Sequence, residues 1–258
     1  MSAKHPAHRR KGGSVEVVDS KYAVDLATQQ SYSENIFLFV PNLIGYSRII
    51  LAGLALHYMS YHPKYCTLLY CISCLLDAVD GQAARALGQT SKFGAVLDMV
   101  TDRCTTSCLL CYLSSAYPTY ALSFQFLISL DFASHYMHMY SSLVTGSRSH
   151  KLVTSDVSRI LWYYYNDSRT LFVMCAGNEL FFLSLYLMKW VKTPIGLSHP
   201  LISHLTWPEV VALVSFWVFL AKNIINFVQL WKASKILVGV DLAERAKARE
   251  SSPRSKGR

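Results

Sequence analysis

Apolar residues gather along this chain into six blocks, near Pro41–Tyr58, Cys66–Arg85, Phe93–Ala116, Tyr120–Tyr140, Thr170–Met188 and Val210–Leu230. Each is close to the about 20 residues a helix needs to cross the hydrocarbon core of a bilayer. The pattern predicts an all-α, polytopic membrane protein with six transmembrane helices. Around them, residues 1–34 read as a mobile arm of basic and polar character and 35–231 as a six-helix membrane domain. Residues 232–258 read as a basic tail, partly helical, with Asp241 and Arg245 four apart among good helix formers. Just ahead of the first block, Ile36–Val40 is apolar and suited to lie at the membrane surface, with Pro41 near a helix start.

Polar positions inside these blocks carry the chemistry. The second and third hold the string Asp77-x2-Asp80-Gly81-x2-Ala84-Arg85-x8-Gly94-x3-Asp98-x3-Asp102. Carboxylates are expensive inside a membrane and mark functional sites by default. Residues three and four apart share a helix face, so Asp77, Asp80, Gly81 and Ala84 form one stripe and Gly94, Asp98 and Asp102 another. Two helices then offer two carboxylates each to one cleft. Neighbouring anions repel and take up protons unless cations neutralise them. Hard oxygens without His or Cys partners suit Mg²⁺ or Mn²⁺, and four acids suit two ions. Gly81 and Ala84 leave room against the backbone for a bulky ligand, and Arg85, one turn on, is placed for a phosphate. The stripe suits a nucleotide diphosphate.

Other polar positions are less specific. Arg48 in the first block either meets acids or phosphate, or snorkels to the headgroups; the sequence does not choose. Asp131, Ser134, His135 and His138 form one polar helix face that must meet protein or water. Asp131 belongs with the site, and a helix contact is the plainer fate of the histidines. Asn178 and Glu179 suit packing or a helix–helix hydrogen bond. The polar stretch Thr145–Lys151 and Arg169, at the head of the fifth block, lie on the motif's side.

Composition excludes an ordinary soluble domain, with 52% hydrophobic and only 16% charged residues. The formal charge of +9 is distributed in a telling way. A cytoplasmic N-terminus puts Arg9, Arg10, Arg85, Lys92, Arg148, Lys151, Arg159 and the basic tail on one side, leaving Lys64, Lys189 and Lys192 opposite. Both termini and the motif's end of the bundle are then cytoplasmic, where nucleotides are found. The charge records topology and attraction to anionic headgroups, and no folded basic domain argues for nucleic acid. The first thirty residues carry no cleavable signal. Seven cysteines, all in or beside the blocks, read as buried packing thiols rather than a disulfide framework. The CxxC pairs Cys71/Cys74 and Cys108/Cys111 have no nearby His, which disfavours zinc.

At every specified position the string resembles the signature of the CDP-alcohol phosphotransferase family. Asn35–Arg48, Leu75–Leu87, Phe93–Cys104, Asp131–His135 and Cys175–Leu180 look like that family's eukaryotic inositol-accepting branch, over about Asn35–Lys247. The resemblance implies a multi-pass homodimer of the endoplasmic reticulum membrane that moves a phosphatidyl group from CDP-diacylglycerol to myo-inositol and releases CMP. It sets Asp77, Asp80, Asp98 and Asp102 around two Mg²⁺ or Mn²⁺ ions, makes Asp102 also the general base, and puts Gly81, Ala84, Arg85 and Ser91 at CDP-diacylglycerol. For inositol, neutral and crowded with hydroxyls, Asp131, His135 and Arg169 are the candidates. Glycerol phosphate, serine, choline and ethanolamine are rival acceptors that share the motif. An intramembrane prenyltransferase would lack the Gly, Ala and Arg positions. A cation channel or transporter would leave Gly81, Ala84 and Arg85 unexplained.

Overall fold

Helix termini are written clearly in the sequence. Pro41 and Pro63 each fall in a first helical turn, where a missing N–H costs nothing. Leu87 and Gly88 close the helix before them: Gly88 takes φ +65° and the Gln89 N–H donates back to the Ala84 carbonyl. Ser91 opens the next helix by accepting from the Gly94 N–H at 2.9 Å.

The computed structural model describes residues 20–28, 34–145, 167–196 and 204–251. A short helix, α1 (Ser20–Thr28), forms inside the stretch that reads as an arm. A 3₁₀ turn, Ile36–Leu38, occupies the apolar segment before the first block. All six blocks are helices: α2 (Val40–Tyr58), α3 (Pro63–Ala86), α4 (Lys92–Ala116), α5 (Ala121–Val144), α6 (Ser168–Met188) and α7 (Trp207–Ser251). No strand occurs among the described residues, only an isolated bridge between Pro194 and Thr206. The fold is all-α. At 45 residues α7 continues unbroken past Leu230, so the helical part of the tail extends the sixth block rather than standing apart. Gly146–Asn166, and with it most of the polar loop before Arg169, lies outside the described residues.

The bundle is inside-out relative to a soluble protein. On α3 the outward face is Leu68, Ile72, Leu75 and Val79, all exposed at i, i+4, i+7 and i+11, while the buried face is Cys66, Tyr70, Ser73 and Asp80. A soluble amphipathic helix has the opposite arrangement, and so large an exposed apolar surface marks a membrane or partner interface. Two helices, α6 from Arg169 and α7 from Trp207, are long and apolar enough by themselves to cross a membrane. The other four have the length but also carry the polar residues the site uses.

Helix α2 packs along α3 and α4, α4 along α5, and α7 lies across both α5 and α6. The apolar core sits at one end, where Cys66, Tyr70, Leu109, Leu110, Leu113 and Tyr186 are buried together. The Tyr186 hydroxyl donates to the Met59 carbonyl at 2.8 Å, tying α6 to the end of α2. All seven cysteines are free thiols, as expected. The expectation that they are buried holds for Cys66 but not for Cys104, Cys108 and Cys111, which share the exposed face of α4. Four-residue and three-residue steps put those three on one side, and that side faces away from the core.

Candidate active site

Four helical positions and one arginine define the polar end of the bundle. Helices α3 and α4 present Asp77, Asp80, Asp98 and Asp102 to one another, and α2 inserts Arg48 between them. Arg48 is 2% exposed. Its Nη1 donates to Asp80 at 2.6 Å and Asp98 at 2.8 Å, and its Nη2 to Asp77 at 2.7 Å and Asp102 at 2.5 Å. The open choice for Arg48 is thereby resolved: it meets the acids and does not snorkel. The Ser73 hydroxyl donates to the Arg48 carbonyl, joining α2 to α3 at this level.

The four carboxylates are not equivalent. Asp80 is buried against Arg48, whereas the side chains of Asp77, Asp98 and Asp102 keep about a third of their surface open, at 38%, 31% and 32%. Those three each bring an oxygen within 4.8 Å of the others, a spacing that can close on one cation. Four carboxylates share the Arg48 guanidinium, with Arg103 reaching Asp102 alone. A set of hard oxygen donors with no His or Cys among them suits a hard divalent cation. The structure thus gathers the predicted acids, with Asp77, Asp98 and Asp102 open to a ligand and Asp80 set behind them.

The remaining motif positions are placed as follows. A Cβ on Gly81 would stand 3.5 Å from Arg85 Nη1, so the Arg85 guanidinium lies back over the Gly81 backbone. Arg85 itself is exposed. Ala84 is on the same stripe, half-buried. Ser91 serves as the cap of α4. Gly94 is required sterically: a Cβ there would lie 2.7 Å from Asn42 Oδ1 and 3.0 Å from Ser91 Oγ. Asn42 in turn donates to the Ile36 carbonyl at 2.6 Å, and the Val40 N–H donates to Gln89 Oε1 at 2.9 Å. The start of α2 is thereby stapled to the α3–α4 connection that carries the motif.

A second polar cluster lies beside the first. Arg103 Nη1 donates to both oxygens of Asp131 at 2.7 Å, and Arg103 Nη2 stands 3.5 Å from Asp102 Oδ2. Asn226 of α7 donates to Asp131 Oδ1 at 3.2 Å. His135 Nδ1 is 2.8 Å from the Asp131 carbonyl, which can only accept, so Nδ1 carries the proton. Lys222 is buried and donates to Asn226 Oδ1 at 2.6 Å. Further along, Glu179 accepts from the Tyr70 hydroxyl at 2.6 Å and the Thr106 hydroxyl at 2.8 Å, the helix–helix bonding expected of it.

Of the three acceptor candidates, Asp131 and His135 are together in this cluster and Arg169 is not. Arg169 is exposed at the head of α6, lining a shallow recess of about 240 Å³ with Thr170, Val173 and Met174. Asp167 caps that helix, accepting from the Thr170 hydroxyl at 2.6 Å and from the Arg169 and Thr170 N–H groups. The Thr170 hydroxyl, with help from the Arg169 N–H, holds the Asp167 carboxyl below its ordinary pKa. Arg103, Asn226 and Lys222 are the functional candidates that pattern reading missed. The available signal was Arg103 itself, a cation directly after Asp102 in a hydrophobic block, which demands a buried partner.

Comparison with known proteins adds the family. The description CDP-alcohol phosphatidyltransferase matches residues 38–160. A CDP-diacylglycerol–inositol 3-phosphatidyltransferase of Schizosaccharomyces pombe is 50% identical over 226 residues, covering 84% of this chain and 95% of that protein. The chain belongs to the CDP-alcohol phosphatidyltransferase family. The Homo sapiens protein of the same description is 45% identical over 214 residues, covering 83% of this chain and 98% of its own. One from Arabidopsis thaliana, described as a probable CDP-diacylglycerol–inositol 3-phosphatidyltransferase 2, is 35% identical over 225 residues, 86% of this chain and 99% of its own. No solved structure matches. The matched residues 38–160 include the four acids that converge on Arg48.

Proposed function

We propose that the protein transfers the phosphatidyl group of CDP-diacylglycerol to myo-inositol, giving phosphatidylinositol and CMP. The observation that carries this is the convergence of Asp77, Asp98 and Asp102 on one point beside Arg48, in a chain 50% identical to a relative described by that activity.

The acids would hold Mg²⁺ or Mn²⁺, two ions in this reading, with Asp77, Asp98 and Asp102 as the open ligands and Asp80 completing the set. When bound there, such ions would supply positive charge toward the diphosphate and toward the charge appearing on departing CMP. Asp102 accepts the proton of the attacking inositol hydroxyl as that oxygen bonds to the lipid-bearing phosphorus. The bond from that phosphorus to the CMP oxygen breaks in the same displacement. Gly81 and Ala84 leave the backbone open to the nucleotide, Arg85 meets the diphosphate, and Ser91 sits at the edge of the same pocket. Arg48 fixes all four acids, so they need little rearrangement when substrate binds.

For inositol, His135 is offered as an acceptor through Nε2, its Nδ1–H being held by the Asp131 carbonyl, Asp131 as the group beside it, and Arg169 as a donor from the head of α6. In the same reading six helices cross the endoplasmic reticulum membrane with both termini and the acids on the cytoplasmic side, as the Lys and Arg distribution supports. A homodimer follows from the family resemblance. Purified protein in detergent, given CDP-diacylglycerol, should release CMP only when inositol and Mg²⁺ or Mn²⁺ are both added. Equal release with serine or glycerol phosphate would overturn the acceptor assignment, and release in excess chelator would overturn the metal.

A further inference from the structure

Asp102 is gripped from two sides. Arg48 Nη2 takes its Oδ1 at 2.5 Å, and Arg103 Nη2 faces its Oδ2 at 3.5 Å. Adjacent residues on a helix project about 100° apart, so Arg103 reaches its neighbour only by turning back along α4. What turns it is Asp131 of α5, which takes Arg103 Nη1 with both oxygens, while Asn226 of α7 fixes Asp131. Asp131 already uses three of about four acceptor positions on these donors, leaving little for a polyol.

We propose that Arg103 is a positioning residue for Asp102, and that Asp131 and Asn226 hold Arg103 rather than the acceptor. This rests on the functional reading only for the identity of the reaction. The arrangement gives Asp102 a different arginine near each oxygen. It connects the reacting edge of α4 to α5 and α7, which contribute none of the four acids.

The test uses the full-length protein and Arg103→Met, Arg103→Lys, Asp131→Asn and Arg103→Met/Asp131→Asn. Substrate-free Mn²⁺ titration, followed by electron paramagnetic resonance, reads Asp102 as a ligand, and steady-state kinetics reads it as a base. Loss of an outer-shell partner costs about 10–100-fold in metal affinity or activity. Arg103→Met should weaken Mn²⁺ binding about tenfold and lower kcat about 10–100-fold, with KM for inositol within about twofold. Arg103→Lys should recover part of both. Asp131→Asn should reproduce Arg103→Met, and the double variant should be no worse than either single one.

The sign of the Mn²⁺ change is decisive, because removing a nearby cation without disturbing Asp102 would tighten Mn²⁺ binding. Tightened or unchanged Mn²⁺ affinity in Arg103→Met overturns the proposal. So does a raised inositol KM with intact kcat in Asp131→Asn alone. Should Arg103→Met not fold, Arg103→Lys decides by the same readouts, and wild-type values for both overturn it. Wild-type protein that ignores inositol would defeat the functional reading, while the substrate-free titration would still judge Arg103.

Discussion

At one end of α3 and α4, Cys66, Tyr70, Leu109 and Leu110 are buried in apolar contact with Tyr186. A few turns along the same two helices, Asp77, Asp80, Asp98 and Asp102 face one another around the Arg48 guanidinium. The first end gains stability from every contact it makes. The second crowds four carboxylates together, which a protein tolerates only where the rest of the fold constrains them. Stability and chemistry are thus separated along the helix axes. The bonds from Glu179 to Tyr70 and Thr106, and from Arg103 to Asp131, lie between the two ends.

That separation can be broken most severely at Asp102. Asp102→Asn keeps the shape but removes the proposed base and one proposed ligand charge, so turnover should fall about 10²–10⁴-fold. Thermal stability should change far less, since the weakened contacts to Arg48 and Arg103 are offset by the loss of one repelling carboxylate. CMP release and a melting curve on the same preparation check both, and turnover within tenfold of wild type would remove Asp102 from the role of base. The mirror experiment is Leu110→Ala at the apolar end, where a fully buried leucine leaves a cavity. It should cost about 2–5 kcal/mol of stability. At a temperature where the variant stays folded, the proposed dependence on Mg²⁺ or Mn²⁺ should match that of the wild type. A changed metal requirement would mean that the two ends are coupled.

The apolar blocks made six helices legible from the sequence, with boundaries within a few residues except at the end of α7. There the block ends at Leu230 by hydropathy, while helix formers such as Ala243, Glu244 and Ala246 carry the helix to Ser251. The four acids and their pairing across two helices were legible because 3.6-residue spacing turns a sequence string into a face. Arg48 was half-legible: its cost inside the block was plain, but only the packing of α2 against α3 and α4 says what it meets. Arg103 with Asp131 and Asn226 was not legible. Those residues are 28 and 95 positions apart, and nothing in a local pattern brings α4, α5 and α7 together.

Gly94 tests the seam where the motif meets the start of α2. Gly94→Ala drives a Cβ to 2.7 Å from Asn42 Oδ1, and overpacking of this kind costs about 1–3 kcal/mol. Asn42→Ala added to it should recover part of the loss, since the clashing atom is removed. Melting curves of the two singles and the double read that coupling. Independent, additive effects would show that the clash is relieved elsewhere.

The smallest effect is at the head of α6, which contributes to neither the apolar cluster nor the four acids. Asp167 accepts from the Thr170 hydroxyl and from two N–H groups of the first turn, which holds its carboxyl below the ordinary value. A group whose pKa is depressed by folding contributes stability at pH values above its unfolded pKa, and loses it as pH falls through the folded value. Asp167→Ala should therefore lower the melting temperature slightly and by a constant amount from neutral pH down to about pH 5, and the gap should close in stronger acid as wild-type Asp167 takes up its proton. Melts of both proteins across that range measure it. A gap that persists below the folded pKa would assign the loss to packing around Thr170 instead of to the charge.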